Sequence, residues 1–157
     1  MEKLTIEDYV ARIANATPLQ LVIITYELID KYIDDATDCI DNKKMFEFNL
    51  EKARAFLDDL KNSLDMSFKI SGNLMSLYNY VGQQISYYMF DRNTEHVTEI
   101  KKVMDELLDG WKTIESQESD KTPVMENTQQ LYAGLTYDKS GRLSEYVETD
   151  VKRGFKA

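Results

Sequence analysis

Four long stretches of this 157-residue chain place their apolar residues four and three apart in strict alternation, an interval at which only a helix returns side chains to one face. The first column is Val22, Tyr26, Ile29, Ile33, Ala36 and Ile40; the second is Phe46, Leu50, Ala53, Leu57, Leu60 and Leu64. The third runs Leu74, Tyr78, Val81, Ile85 and Tyr88, and the fourth Ile100, Met104, Leu107, Trp111 and Ile114. Each stripe has to be buried, and four of them can bury one another. Helices of about 20 residues are rods of about 30 Å. The polar links at 41–43, 68–73 and 91–94 are short, which favours antiparallel neighbours. The expected fold is all-α: an antiparallel up-down four-helix bundle over about residues 18–116, with a short N-terminal amphipathic helix and a largely non-helical C-terminal tail.

The ends of these elements have physical causes. Thr17 can cap the first long helix, Pro18 fits its first position, and Gln20 completes a capping box. Asn93 or Thr94 is placed to cap the fourth, with Glu95 in its first turn. Ahead of Thr17, the spacing of Ile6, Tyr9, Val10 and Ile13 predicts a short helix over 4–14 with one apolar face. So short a helix is marginal alone and needs a surface to dock on. After Ser116 the period stops, and Thr122-Pro123 breaks any continuing helix. The chain therefore divides into a bundle domain, 1–116, and a flexible or loosely docked tail, 117–157, in which 138–141 reads as a hairpin turn.

Composition removes several functions. Nineteen Lys and Arg against 28 Asp and Glu give a net charge of −9, so nucleic acid is not an expected partner. No run approaches the roughly 20 apolar residues that span a bilayer, the N-terminus lacks signal-peptide order, and the single Cys39 suits a reducing compartment. A cytoplasmic protein without membrane insertion is expected. The acidic string Asp34-Asp35-Ala36-Thr37-Asp38 has spacing known from diphosphate-binding helices, but Ala36 belongs to the core column and the acids read as a solvated face. Cys39 has no histidine beside it to activate it, and reads as a structural thiol. His96, the one histidine, raises a histidine-phosphotransfer alternative; Glu99, three residues on, would repel a phosphorylated ring. No catalytic residue, metal site or cofactor is assigned, and the chain is not expected to be an enzyme.

What the chain overspecifies is aromatic and apolar surface, with ten tyrosines and six phenylalanines. The third segment carries a second stripe, Leu77, Tyr80 and Tyr87, beside Leu74 and Tyr78; Leu21, Leu28 and Tyr32 flank the first column. Tyrosine suits a surface that must tolerate both water and an apolar partner. The stripe therefore reads as a groove for a partner helix, which the N-terminal segment could cover until displaced. A bundle that self-associates through this face is the other reading.

Several strings, in order, carry a likeness to a known family over about residues 5–116. The run 16–26, Ala-Thr-Pro-Leu-Gln-Leu-Val-Ile-Ile-Thr-Tyr, resembles that family's Ala-Ser-Pro opening and aliphatic run to tyrosine. Ser63-Leu64-Asp65 closes the second helix as it does there. The run 73–81, Asn-Leu-Met-Ser-Leu-Tyr-Asn-Tyr-Val, is similar to its most specific string, and Trp111 falls where the family has a tryptophan. The family is that of the flagellin export chaperones (FliS). The resemblance implies a cytoplasmic bundle that binds the disordered C-terminal segment of flagellin, prevents premature polymerisation, and delivers it to the flagellar type III export gate; a monomer or weak dimer is expected. It implies neither ATP nor metal. Carried over residue by residue, it gives Leu74, Leu77, Tyr78 and Tyr80 as groove contacts and Tyr9 as part of the cover, which Ile6, Val10 and Ile13 complete as the rest of the N-terminal apolar face. The tail lies outside the family's usual length and is expected either to dock near the groove or to recruit another export component.

Overall fold

The computed structural model describes residues 5–119, and within them every regular element is a helix: α1 Ile6–Ala14, α2 Pro18–Asp38, α3 Lys43–Asn62, α4 Lys69–Asp91 and α5 Glu95–Ser119. The expectations for the tail beyond Ser119, its hairpin turn included, lie outside the described residues. α2 and α4 each adjoin both α3 and α5, so the four long helices close a ring. Across α2 and α3, Tyr32 stacks on Phe56 and Cys39 meets Asn49. Across α3 and α4, Phe46 meets Tyr88 edge-on and Gly82 lies against Leu57. In each pair one number rises as the other falls, so consecutive helices run antiparallel.

The start of α2 is built as its sequence dictates. Thr17 Oγ1 accepts from the Gln20 amide at 3.2 Å, and Gln20 Oε1 accepts from the Thr17 amide at 3.0 Å. A second capping box, Thr5 with Asp8, opens α1. Arg92 ends α4 in the left-handed conformation, φ 56°, donating its amide to the Tyr88 carbonyl at 2.8 Å.

The core columns are buried as expected through α2, α3 and α4, apart from Ile40, which lies beyond the end of α2 and is half-buried. Two expectations need correction. Residues 69–73, read as part of a connection, are already helical, because Ser71 continues the stripe inward from Leu74 and Gly72 has open space around it rather than a turn to make. In α5, Leu108 rather than Leu107 is buried beside Met104 and Trp111, while Leu107 is half-buried on the flank. A straight helix turns through 3.6 residues, not 3.5, so a strict four-three column drifts off the seam.

Much of the tyrosine surplus is spent inside. Tyr26 and Tyr78 meet hydroxyl to hydroxyl from α2 and α4, with rings edge-on. The Tyr88 hydroxyl reaches Thr37 Oγ1 at 2.8 Å, and burial pushes that phenol above its usual pKa. A buried phenol needs such a partner, and these are supplied by opposing helices.

Candidate functional site

Leu77, Tyr80 and Gln84 follow at intervals of three and four, so they share one flank of α4. That flank faces α5. Tyr80 Oη donates to Glu99 at 2.9 Å, a bond that raises the phenol's pKa, and Gln84 Oε1 lies 2.9 Å from His96 Nδ1. Leu77 is 37% exposed, Tyr87 47% and Phe90 91%. Leu74 and Tyr78, read with Leu77 and Tyr80 as groove contacts, point the other way and are core residues with 4% and 0% exposure. α4 therefore leaves at least partly exposed Leu77 and Tyr80 on the α5 flank and Tyr87 and Phe90 further along, with Phe90, thirteen residues on, turned about 140° from Leu77.

No charged residue occurs between Lys69 and Asp91, a run of 21 residues in a chain that is 30% charged. The outward positions of α4 are Asn73, Ser76, Asn79, Gln83 and Ser86, alongside the apolar four. A helix face of amides, hydroxyls and large hydrophobes, with charge brought to it only by neighbouring helices, Glu99 at Tyr80 and Arg54 at Ser86, is suited to receiving a partner segment. The sequence carried this signal, but a search for periodicity does not weigh missing charge.

The four N-terminal residues gather on a different side. Tyr9 and Ile13 of α1 are buried, Val10 is half-buried and Ile6 is exposed. α1 packs on α2, and the Arg12 guanidinium straddles Glu27 with bonds of 2.6 and 3.2 Å. Burial raises the Tyr9 phenol pKa, with nearby Glu27 adding to it. A cleft of about 490 Å³ opens there, lined in part by Arg12, Ile24, Glu27, Lys112 and Glu115. From Glu99 to Lys112 is thirteen residues, which turns α5 by about 140°. The structure therefore does not bring α1 and the Leu77–Tyr80 flank together: α1 lies at the α2–α5 side, α4's stripe at the α4–α5 side. What α1 helps to enclose is the start of α2, where Val22, Ile23, Ile24, Thr25 and Tyr26 are all buried in succession. Ile23 and Ile24 stood outside the core column, yet a run apolar on every side signals a helix enclosed all round.

Two polar clusters complete the surface. Between α2 and α5, Lys101 Nζ lies 3.0 Å from Asp34 and 3.5 Å from Asp30, and it donates to the Asp30 carbonyl at 3.3 Å. Burial, then a shared bond with Asp105, lifts the Asp30 carboxyl to about 7 against the pull of Lys101. At the α4–α5 turn, both ring nitrogens of His96 are engaged, Nδ1 by Gln84 and Nε2 by Asp91 at 3.0 Å, and this contact lowers the Asp91 pKa. A ring so held, with a carboxylate on Nε2, is a poor phosphoryl acceptor. Among the described residues no cluster of three or more His, Cys, Asp or Glu could hold a metal ion, and no helix is long and apolar enough to cross a membrane.

Residues 5–118 match the family model described as flagellar protein FliS. A flagellar secretion chaperone FliS of Bacillus subtilis (strain 168) is 26% identical over 109 residues, covering 68% of this chain and 82% of that protein.

Proposed function

The chain belongs to the flagellar protein FliS family, and from that premise we propose that it is a flagellar secretion chaperone whose cargo is the C-terminal segment of flagellin. Its action is binding, not chemistry. A disordered segment that folds on a surface loses chain entropy, and a long apolar face with few charges to desolvate offsets that loss. The charge-free run 70–90 of α4, which leaves Leu77, Tyr80, Tyr87 and Phe90 exposed or half-exposed, is the observation that carries this reading. Holding the segment there keeps flagellin from polymerising in the cytoplasm and presents it to the flagellar type III export gate. The chaperone acts as a monomer or weak dimer. α1 is the second element in this account: docked through Tyr9 and Ile13, it covers α2 and is the piece a longer cargo would displace.

The test is substitution on the exposed flank. Leu77→Asp places a charge on the cargo face without entering the core, and it should weaken flagellin-segment binding by about tenfold or more while leaving helicity and melting temperature nearly unchanged. Undiminished affinity in that folded variant would remove α4 from the binding surface.

A further inference from the structure

We propose that Glu99 selects the cargo: it takes a lysine or arginine of the bound helical segment, whose apolar residues one and two turns away rest on Leu77, Val103 and Leu107. The inference rests on the cargo reading above and adds the chemistry that the segment has to carry.

The flank between α4 and α5 is lined from both helices. Glu99, Val103 and Leu107 follow at intervals of four, so they share one side of α5. The pairs Tyr80–Glu99 and Gln84–His96 turn that side towards α4 and set Leu77 level with about residue 102 or 103. Val103 and Leu107 are half-buried against the core, and Leu77 is partly exposed. Together they form a short apolar strip along the seam. Glu99 stands at one end of it, about 5 Å along the helix axis from the level of Leu77 and about 12 Å from Leu107, which is one turn and two.

Charge is the second argument. Acids on the other seams face a basic group from a neighbouring helix: Glu27 is straddled by Arg12, Asp30 and Asp34 share Lys101, and Asp91 meets His96. Glu99 is half-buried, and what it meets is a neutral phenol, Tyr80 Oη donating to Oε2 at 2.9 Å. Among the described residues it makes no ion pair; Lys102, one turn on, is exposed and does not reach it. A segment laid on Leu77 and Val103 takes water from this carboxylate. With an apolar or acidic residue above it, the charge is desolvated without a partner, which is costly. A lysine or arginine turns the same burial into a charge-assisted pair and fixes the register of the segment on the strip.

The experiment titrates the full chain with the C-terminal segment of flagellin from the same organism. Glu99→Gln keeps an acceptor for Tyr80 and removes the charge, while Glu51→Gln makes the same change of net charge at an exposed position of α3. Glu99→Gln should weaken binding about fivefold at low salt and flatten its salt dependence, and Glu51→Gln should stay within about twofold of the parent, with helicity unchanged in both. Each lysine and arginine of the segment is then replaced singly by glutamine. One of these replacements should cost the parent about fivefold and the Glu99→Gln chain nothing further. Undiminished affinity in Glu99→Gln, an equal loss in Glu51→Gln, or no segment cation coupled to Glu99 would overturn the selection while the cargo reading stands. If the parent does not bind the segment at all, the cargo reading fails and takes this inference with it.

Discussion

Thr37 and Tyr88 show how a single polar contact can be written into an apolar seam. Thr37 Oγ1 donates its one proton to the Ile33 carbonyl at 3.0 Å, so the bond at 2.8 Å must be donated by Tyr88. The consequence is asymmetric. Tyr88→Phe leaves Thr37 bonded and should cost about 1 kcal/mol, whereas Thr37→Val strands a buried phenol and should cost about 2 kcal/mol, part of which returns in the double variant. Denaturant titration of the three proteins checks the order; additive losses would mean the bond is not made. Asp30 gives a pH-dependent case. Its carboxyl titrates near 7 in the folded protein against an ordinary 3.8, so the folded state binds the proton more tightly than the unfolded chain. Its contribution to stability is therefore lost as pH rises from about 4 to about 7. Asp30→Asn should melt higher than the parent at pH 8, by about 4 °C or more, with the gap narrowing towards pH 5. A constant gap would contradict the assignment. Neither feature was legible in the sequence, since both depend on which residues of separate helices come level.

Elements were far more legible than contacts. The four-three columns located α2 to α5 because burial repeats with the helical turn, and Thr17-Pro18-x-Gln20 marked the start of α2 because its bonds are local. The misread places were those where no local rule decides: the beginning of α4, where Phe68 offers no side-chain cap, and the drift from Leu107 to Leu108 in α5. α1 is nine residues long and cannot be stable alone, so its order depends on docking to α2 through Tyr9, Ile13 and the Arg12–Glu27 pair. Ile13→Asp should release it. Hydrogen exchange would then show residues 6–14 losing protection while the cores of α3 and α4 keep theirs; loss of protection throughout would make α1 an integral part of the bundle.

At the scale of the whole molecule, the described residues form a bundle in which one long helix carries no charge between its ends, over residues 70–90. The sequence displayed the surplus of hydrophobes but not how it divides: Leu74 and Tyr78 go inward, Leu77 and Tyr80 to the flank, Tyr87 and Phe90 to solvent. That division turns on the one-residue differences in position that only the assembled ring resolves. It also separates α1 from the exposed residues of α4, which lie on different sides of α5. The central claim is that this protein folds flagellin's C-terminal segment on an apolar face. Calorimetric titration of the full chain with that segment, followed in parallel by far-ultraviolet dichroism, tests it most directly. The account predicts saturable binding, a negative heat-capacity change and helicity beyond the sum of the separate components. Absence of binding, or binding without gained helix and with no heat-capacity change, would contradict it.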